Sequence, residues 1–489
     1  MDRFHGMGMV LALLCASASA ADAPAKGGKV DLEKRCLAGR NPAGTHWNRK
    51  QVAARCALDR APLHSMEDMA RLVQSEQGRA TLEKDFAALL KADHDDPRQR
   101  DQLFAQFDAF NAGSQAREVA FQWTDKAPDS PYAHTAAGLQ FINAAWRVRT
   151  TAAWGDVDPR RQGMMEIFAE KARDELERAL SINPEISPAC KGLIQVGQLT
   201  GDDALTRKEL ARCIAIDPAS YRVMLAWAGT VLPQWGGGPE EWEALAQAAA
   251  AHEKDNPLLG VLRNMPAFNR ARTSGDIAVL RSAVELAPDV DLMQLYADRL
   301  DDPKAALAWL SQAIRFAPRE PRYRYDRAIA LGNAGDFAGA MADIDFALAQ
   351  DASDPQAWYQ RGDLQQMQSK WKDARESYRT SLRFDPLSPW ASLGECQAYA
   401  RAEDDAAATA KCTEQLALGY PTWVEALYLR AWWLARKDDP AAVDARERFM
   451  QMADLQDPVH GRYFDSLAEQ GKQPLVVPTL CERCKRGAH

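Results

Sequence analysis

Residues 355–388 read PQAWYQRGDLQQMQSKWKDARESYRTSLRFDPLS, and this stretch decides the fold. Trp358, Gly362, Ala374, Tyr378, Ser381 and Leu382 recur at helical spacing in two amphipathic runs, and Pro386 ends the second. The pattern predicts two antiparallel helices joined by a short turn. The preceding stretch, Pro321 to Asp354, repeats it through Gly335, Asp336, Phe337, Ala340, Ala347 and Leu348. Boundaries of the same kind occur at Asn183-Pro184, Asp217-Pro218, Ala317-Pro318 and Asp385-Pro386. Pro184 and Pro218 are 34 residues apart; Pro318 and Pro386 are 68 apart, two such units, with Asp351-Ala352 marking the boundary between them. Weaker boundaries at Asn256-Pro257 and Ala287-Pro288 give spacings of 39, 31 and 30, so the middle of the array is irregular. By length, 489 residues would make about three domains. A sustained period instead predicts one all-α solenoid of antiparallel helix pairs.

With its Trp, Gly, Ala, aromatic and Pro at these offsets, the chain resembles the tetratricopeptide repeat (TPR) family over roughly residues 130 to 455. The resemblance implies a TPR-like superhelix whose first helices line a concave groove, with extended peptides as the usual ligands. Carried over by position, it places Arg322, Tyr325, Gln356, Tyr359, Asp363, Trp390 and Arg401 on that groove. Aromatic and arginine side chains supply most binding hot spots. Tyr325 and Tyr359 have interhelix packing as their alternative. The carboxylate clamp of chaperone-binding relatives is not reproduced, because Tyr325, Ile329, Gln360, Trp390 and Gly394 stand where it needs Lys, Asn and Arg. A chaperone C-terminal tail is therefore not the expected ligand.

The composition is near the globular average, with 46% apolar residues, 26% charged residues and a net charge of −8. Collagen-like, mucin-like and wholly disordered chains are excluded. With 60 basic against 68 acidic residues, no global electrostatic footprint for nucleic acid or an anionic membrane exists. The N-terminus carries Arg3, the apolar run Met9 to Ala16, and Ala18-Ser19-Ala20, the form of a secretory signal peptide cleaved after Ala20. A lipoprotein reading through Cys15 meets Leu14 where a small residue is required. No other segment approaches 18 consecutive apolar residues, so no membrane span is expected. The mature chain is expected in the periplasm or outside the cell.

Removing residues 1–20 takes Cys15 with it and leaves eight cysteines, an even number that in an exported chain points to disulfides. Where two helices of a unit pair antiparallel, positions summing to about 31 or 32 face each other. Cys190 and Cys213 are fourth and twenty-seventh in the unit from Ser187, summing to 31; Cys396 and Cys412 are eighth and twenty-fourth in the unit from Pro389, summing to 32. Both pairs are expected to bridge the helices of their own unit, with buried free thiols as the alternative. Cys36 and Cys56 are expected to pair within a basic, irregular segment. Cys481-x-x-Cys484 reads as a tail disulfide, with linkage to Cys36 or Cys56, a redox pair or a metal site with His489 as alternatives. The expected organisation is a signal peptide at 1–20, the irregular segment at 21–63, a helical region at 64–127, the array at 128–470 and the tail at 471–489.

The loop containing Trp235, Gly236, Gly237, Gly238 and Trp242 interrupts the period. Three glycines can bring backbone amides to an anion, but the Lys and Ser/Thr of a phosphate loop are absent, so a turn anchored by two Trp side chains is the simpler reading. With residues 144–149 and the insert at 154–163, this loop is similar to features of an uncharacterised bacterial family of repeat proteins. No H-E-x-x-H, G-x-S-x-G or Walker motif is present. Asp95-Asp96, Asp301-Asp302 and Asp438-Asp439 read as caps for the helices that follow. No cofactor, metal or catalytic residue is expected. The sequence describes an exported scaffold that binds a protein or peptide in its groove. An enzyme built on the loops near 150–163 and 232–242, and an envelope-associated adaptor, are the competing readings.

Overall fold

The computed structural model describes residues 31–58, 62–96, 99–149, 157–232, 237–468 and 473–477. They form 26 helices, with no strand among the described residues. From Pro131 onward the helices pair and stack in chain order, Pro131–Arg149 with Pro159–Ile182, Ser187–Thr200 with Asp203–Ile216, and so on to Val424–Arg436 with Ala442–Met452; at the short helix Leu259–Leu262 the order is broken, and Met265–Ser274 packs back on Pro239–Ala251. The fold is an all-α solenoid.

Local chemistry sets the punctuation. First helices open with proline at N1, as in Pro321–Asn333, Pro355–Met367 and Pro389–Ala402. Their caps precede them: the Asp354 carboxylate accepts the Gln356 amide at 2.9 Å, and Ser388 Oγ accepts the Ala391 amide. Asp302 caps in the same way, accepting the Lys304 amide, whereas Asp439 accepts the Ala441 amide within the turn before Ala442–Met452, whose N-cap is Ala441 and has no side-chain bond. Asp95 and Asp96 depart from that reading. Asp95 is the last residue of Glu76–Asp95 and pairs with Lys91, while Asp96 accepts from the Gln99 side chain, so both serve the end of one helix rather than the start of another.

The packing register rests on one large residue meeting two small ones. Tyr378, fully buried on Trp371–Phe384, lies between Gly362 and Gly394; a Cβ on either glycine would come within 2.7 Å of the ring. Its hydroxyl donates to Asp363 Oδ1 at 2.6 Å.

Three cysteine pairs are at bonding distance, with Cα separations of 5.5 Å for Cys36–Cys56, 5.8 Å for Cys190–Cys213 and 5.5 Å for Cys396–Cys412. The last two join the facing helices of a single unit, as the position sums require. Replacing Cys190 and Cys213 together by alanine is expected to cost about 3 kcal/mol, the entropy of the closed loop. Urea unfolding of the oxidised double variant against wild type measures it.

The helices before Pro131 are not a separate layer. Met66–Leu72, Glu76–Asp95, Gln102–Phe107 and Ser114–Lys126 bury Phe86, Phe107, Phe110 and Trp123 in a core continuous with the first array units. This part, through Arg100, and the first array pair, through Arg147 and Arg161, reach across to the turns that close later units. Arg100 pairs with Asp217, Arg147 with Asp351, and Arg161 with Asp385 at 2.7 Å. Each of these aspartates closes the second helix of a unit, so the array winds back toward its own N-terminal helices. Beside the first of these ties, Asp93 is only 1% exposed. Burial, reinforced by Asp101 and Asp217, pushes its carboxyl up to about 8 from the ordinary 3.8. Because the folded value is the raised one, this group costs stability progressively as pH rises from about 4 through about 8. Asp93→Asn is expected to raise the melting temperature at pH 8 and to give no gain near pH 4; thermal melts across that range test the sign.

Candidate binding surface on the first helices

The structure separates the seven groove candidates by environment. Arg322, the second residue of its helix, pairs with Asp291, and its guanidinium sits 4.7 Å over the Tyr323 ring. The Tyr323 hydroxyl donates to the same carboxylate at 2.7 Å. The Arg322 and Asp291 side chains nevertheless keep 51% and 44% of their surface open to water. Gln356 and Trp390, also second in their helices, are half-buried, and Trp390 meets the edge of Trp423 at 4.9 Å. Arg401 is half-buried, 5.4 Å over the Trp371 ring, and donates to the Leu475 carbonyl. Tyr325, Tyr359 and Asp363 are enclosed between helices. The Tyr325 hydroxyl binds the cap carboxylate of Asp354, Tyr359 packs 6.0 Å from the Tyr378 ring, and Asp363 accepts from Tyr378.

Around Arg322 the first helices bring together charges that periodicity did not single out. Arg222 pairs with Asp108 at 2.8 Å. Lys191 lies near both: burial lowers its ammonium, with Asp108 opposing. Glu320, near Asp108 and Asp291, is pushed up by burial while Arg322 pulls it back. Burial works against the charged form of Asp291 too, but Arg322, the Tyr323 hydroxyl, Arg272 and Arg55 together outweigh it and hold the carboxyl below its usual range. Asp326 is pushed up to about 7, first by burial and then by Asp298, while the Gln294 amide donates to it. The result is a mixed-charge wall contributed by five elements spread from residue 108 to residue 326. Its chemistry is recognition of charged and hydrogen-bonding groups. Among the described residues, no group of three or more His, Cys, Asp or Glu is arranged to hold a metal ion.

One sequence signal is shared by three residues of this wall and two of the groove candidates. Arg222, Asp291, Arg322, Gln356 and Trp390 each occupy the second position of a first helix, in the helices beginning at Tyr221, Val290, Pro321, Pro355 and Pro389. A separate open cleft of about 830 Å³ lies between the end of Glu76–Asp95 and the turn before Ser187, lined by Lys91, His94, Tyr132, Glu185 and Arg212 among others.

The glycine-rich loop is a turn where it is described. The Trp242 indole donates to the Val231 carbonyl at 2.8 Å, and the Gly238 amide donates to Glu241 at 3.0 Å. A Cβ on Gly237 would lie 1.9 Å from the Val231 oxygen, so the chain can close here only without a side chain. Trp235 and Gly236 lie outside the described residues, as do Cys481, Cys484 and the expected signal peptide.

No protein-family model matches the chain, and no curated protein matches it. Solved structures match it in part. MamA from Desulfovibrio magneticus RS-1 is 21% identical, covering 34% of this chain and 94% of its own, with a TM-score of 0.29. A tetratricopeptide repeat protein from Parabacteroides merdae is 12% identical over 57% of this chain and 97% of its own, with a TM-score of 0.32. The Cut9–Hcn1 hetero-tetramer of the APC/C is 12% identical over 86% and 84%, with a TM-score of 0.41. Scores this low carry nothing about activity or partner. The chain's TPR-like character stands on its own stacked helix pairs.

Proposed function

We propose that this protein is an exported scaffold that binds a protein or peptide partner along the second-position row of its first helices, from Arg222 through Asp291, Arg322 and Gln356 to Trp390. The observation that supports the reading is the half-open Arg322–Asp291 pair. Two side chains surrounded by helices, yet wet on one side, form a surface that can exchange water for ligand while its own ion pair keeps it rigid. Export is supported by the three cysteine pairs, since disulfides persist in oxidising compartments.

A photo-reactive amino acid at Gln356 tests the binding surface. It is expected to give a discrete cross-linked product in the source cell's envelope, whereas the same group at Leu418, 68% exposed on a second helix, gives none. Equal labelling from both positions contradicts the reading. N-terminal sequencing of the mature protein tests export, with Ala21 as the expected first residue and a retained Met1 as the contrary result.

A further inference from the structure

We propose that the surface formed by Ile277–Val284 and Pro303–Phe316 is a peptide-binding site that the chain fills in cis with its own residues 36–47. The site is distinct from the second-position row and does not depend on it. Between Leu32–Ala38 and Arg49–Leu58 the chain runs without helix from residue 39 to residue 48. The array binds the main chain of this run and of the helix end that leads into it. Arg315 Nε donates to the Cys36 carbonyl at 2.7 Å, Gln312 Nε2 donates to the Arg40 carbonyl at 3.1 Å, and the His46 amide donates to the Glu285 carbonyl at 2.8 Å.

The run ends in an aromatic anchor. Trp47 is 7% exposed, its indole donates to the Val284 carbonyl at 2.9 Å, and its ring meets Phe316 at 5.6 Å and Trp309 at 6.3 Å, edge to face in both cases. Main-chain hydrogen bonds supply affinity for a non-helical peptide segment and a filled side-chain pocket supplies selectivity, and both are present here. All of these partners are more than 230 residues from the run in sequence. The Cys36–Cys56 disulfide holds the ends of the run together, so it sits on the site as a pre-organised loop. The ligand class is a non-helical loop, turned at Pro42–Thr45, that offers backbone carbonyls followed by a tryptophan.

The test uses the full chain and a fluorescein-labelled synthetic peptide of residues 36–58 with its two cysteines joined. Wild type is expected to bind it poorly, because the tethered copy competes at an effective concentration in the millimolar range. Two variants weaken the strap's hold on the site by changing residues of the strap alone. Trp47→Ala removes the anchor. Gly39→Val puts a side chain where a Cβ would lie 2.6 Å from Arg315 Nε, displacing the guanidinium that holds the Cys36 carbonyl. Either variant is expected to bind the peptide about ten-fold or more tightly than wild type, and a peptide carrying Trp47→Ala is expected to lose that gain. The proposal is overturned if a folded variant binds the peptide no better than wild type, or if the alanine peptide binds equally well. It is also overturned if neither variant folds, since the strap is then part of the core and no ligand of it.

Discussion

Asp343→Ala is expected to destabilise the protein by about 3–5 kcal/mol, because it leaves two arginines buried without their counter-charge. Asp343, on the helix Phe337–Gln350, is 2% exposed and accepts from both Arg324 and Arg327 of the preceding helix, at 2.8 and 2.7 Å. Arg324 stacks on Phe346 with 3.7 Å to the ring centroid, and burial lowers its pKa despite the carboxylate. The aspartate therefore offsets the burial of a pair of cations inside one repeat unit. Denaturant unfolding monitored by circular dichroism measures the loss. A cost below about 1 kcal/mol, the range of a surface pair, would mean that water reaches these arginines.

Tyr378→Ala is expected to cost a similar 3–5 kcal/mol or so, from lost transfer energy and the cavity left between three helices. Tyr378→Phe separates the two contributions. It keeps the ring between Gly362 and Gly394 and removes only the hydroxyl that serves Asp363, an expected loss of about 1–3 kcal/mol. The opposite error, Gly394→Ala, drives a methyl into the ring and is expected to cost about 1–3 kcal/mol. If Gly394→Ala is neutral, the stacking register between these units is looser than the geometry states.

The helix pairs were legible because their signals are local. Pro321, Pro355 and Pro389 each start a helix at N1, and the chain turns just before Pro184, Pro218 and Pro386, so the interval of 34 can be counted from residue numbers. The Cys190 and Cys396 pairings were legible for the same reason, since facing positions in an antiparallel pair follow from arithmetic. The binding surface was legible only in part. Arg322, Gln356 and Trp390 stand one place after a proline that marks the register, whereas Arg222 and Asp291 follow Tyr221 and Val290, where that mark is missing and the spacing drifts. Helical periodicity could not separate groove from packing at Tyr325 and Tyr359, because a tyrosine near a helix edge satisfies either. What closes each of them in is a particular partner, the Asp354 carboxylate or the Tyr378 ring. Least legible were contacts with no local trace. Asp217, Asp351 and Asp385 read as turn residues, and nothing near them announces Arg100, Arg147 or Arg161. Trp47 likewise looks like a stray aromatic until its pocket, more than 230 residues away, is in view.

The chain is a solenoid stapled by disulfides within its own structural units. Peptide mass mapping of the non-reduced protein, purified from the source cell, tests the stapling directly. The expected result includes cross-linked peptides joining Cys36 with Cys56, Cys190 with Cys213, and Cys396 with Cys412. A Cys190 peptide recovered as a free thiol, or joined to any cysteine other than Cys213, would contradict the account.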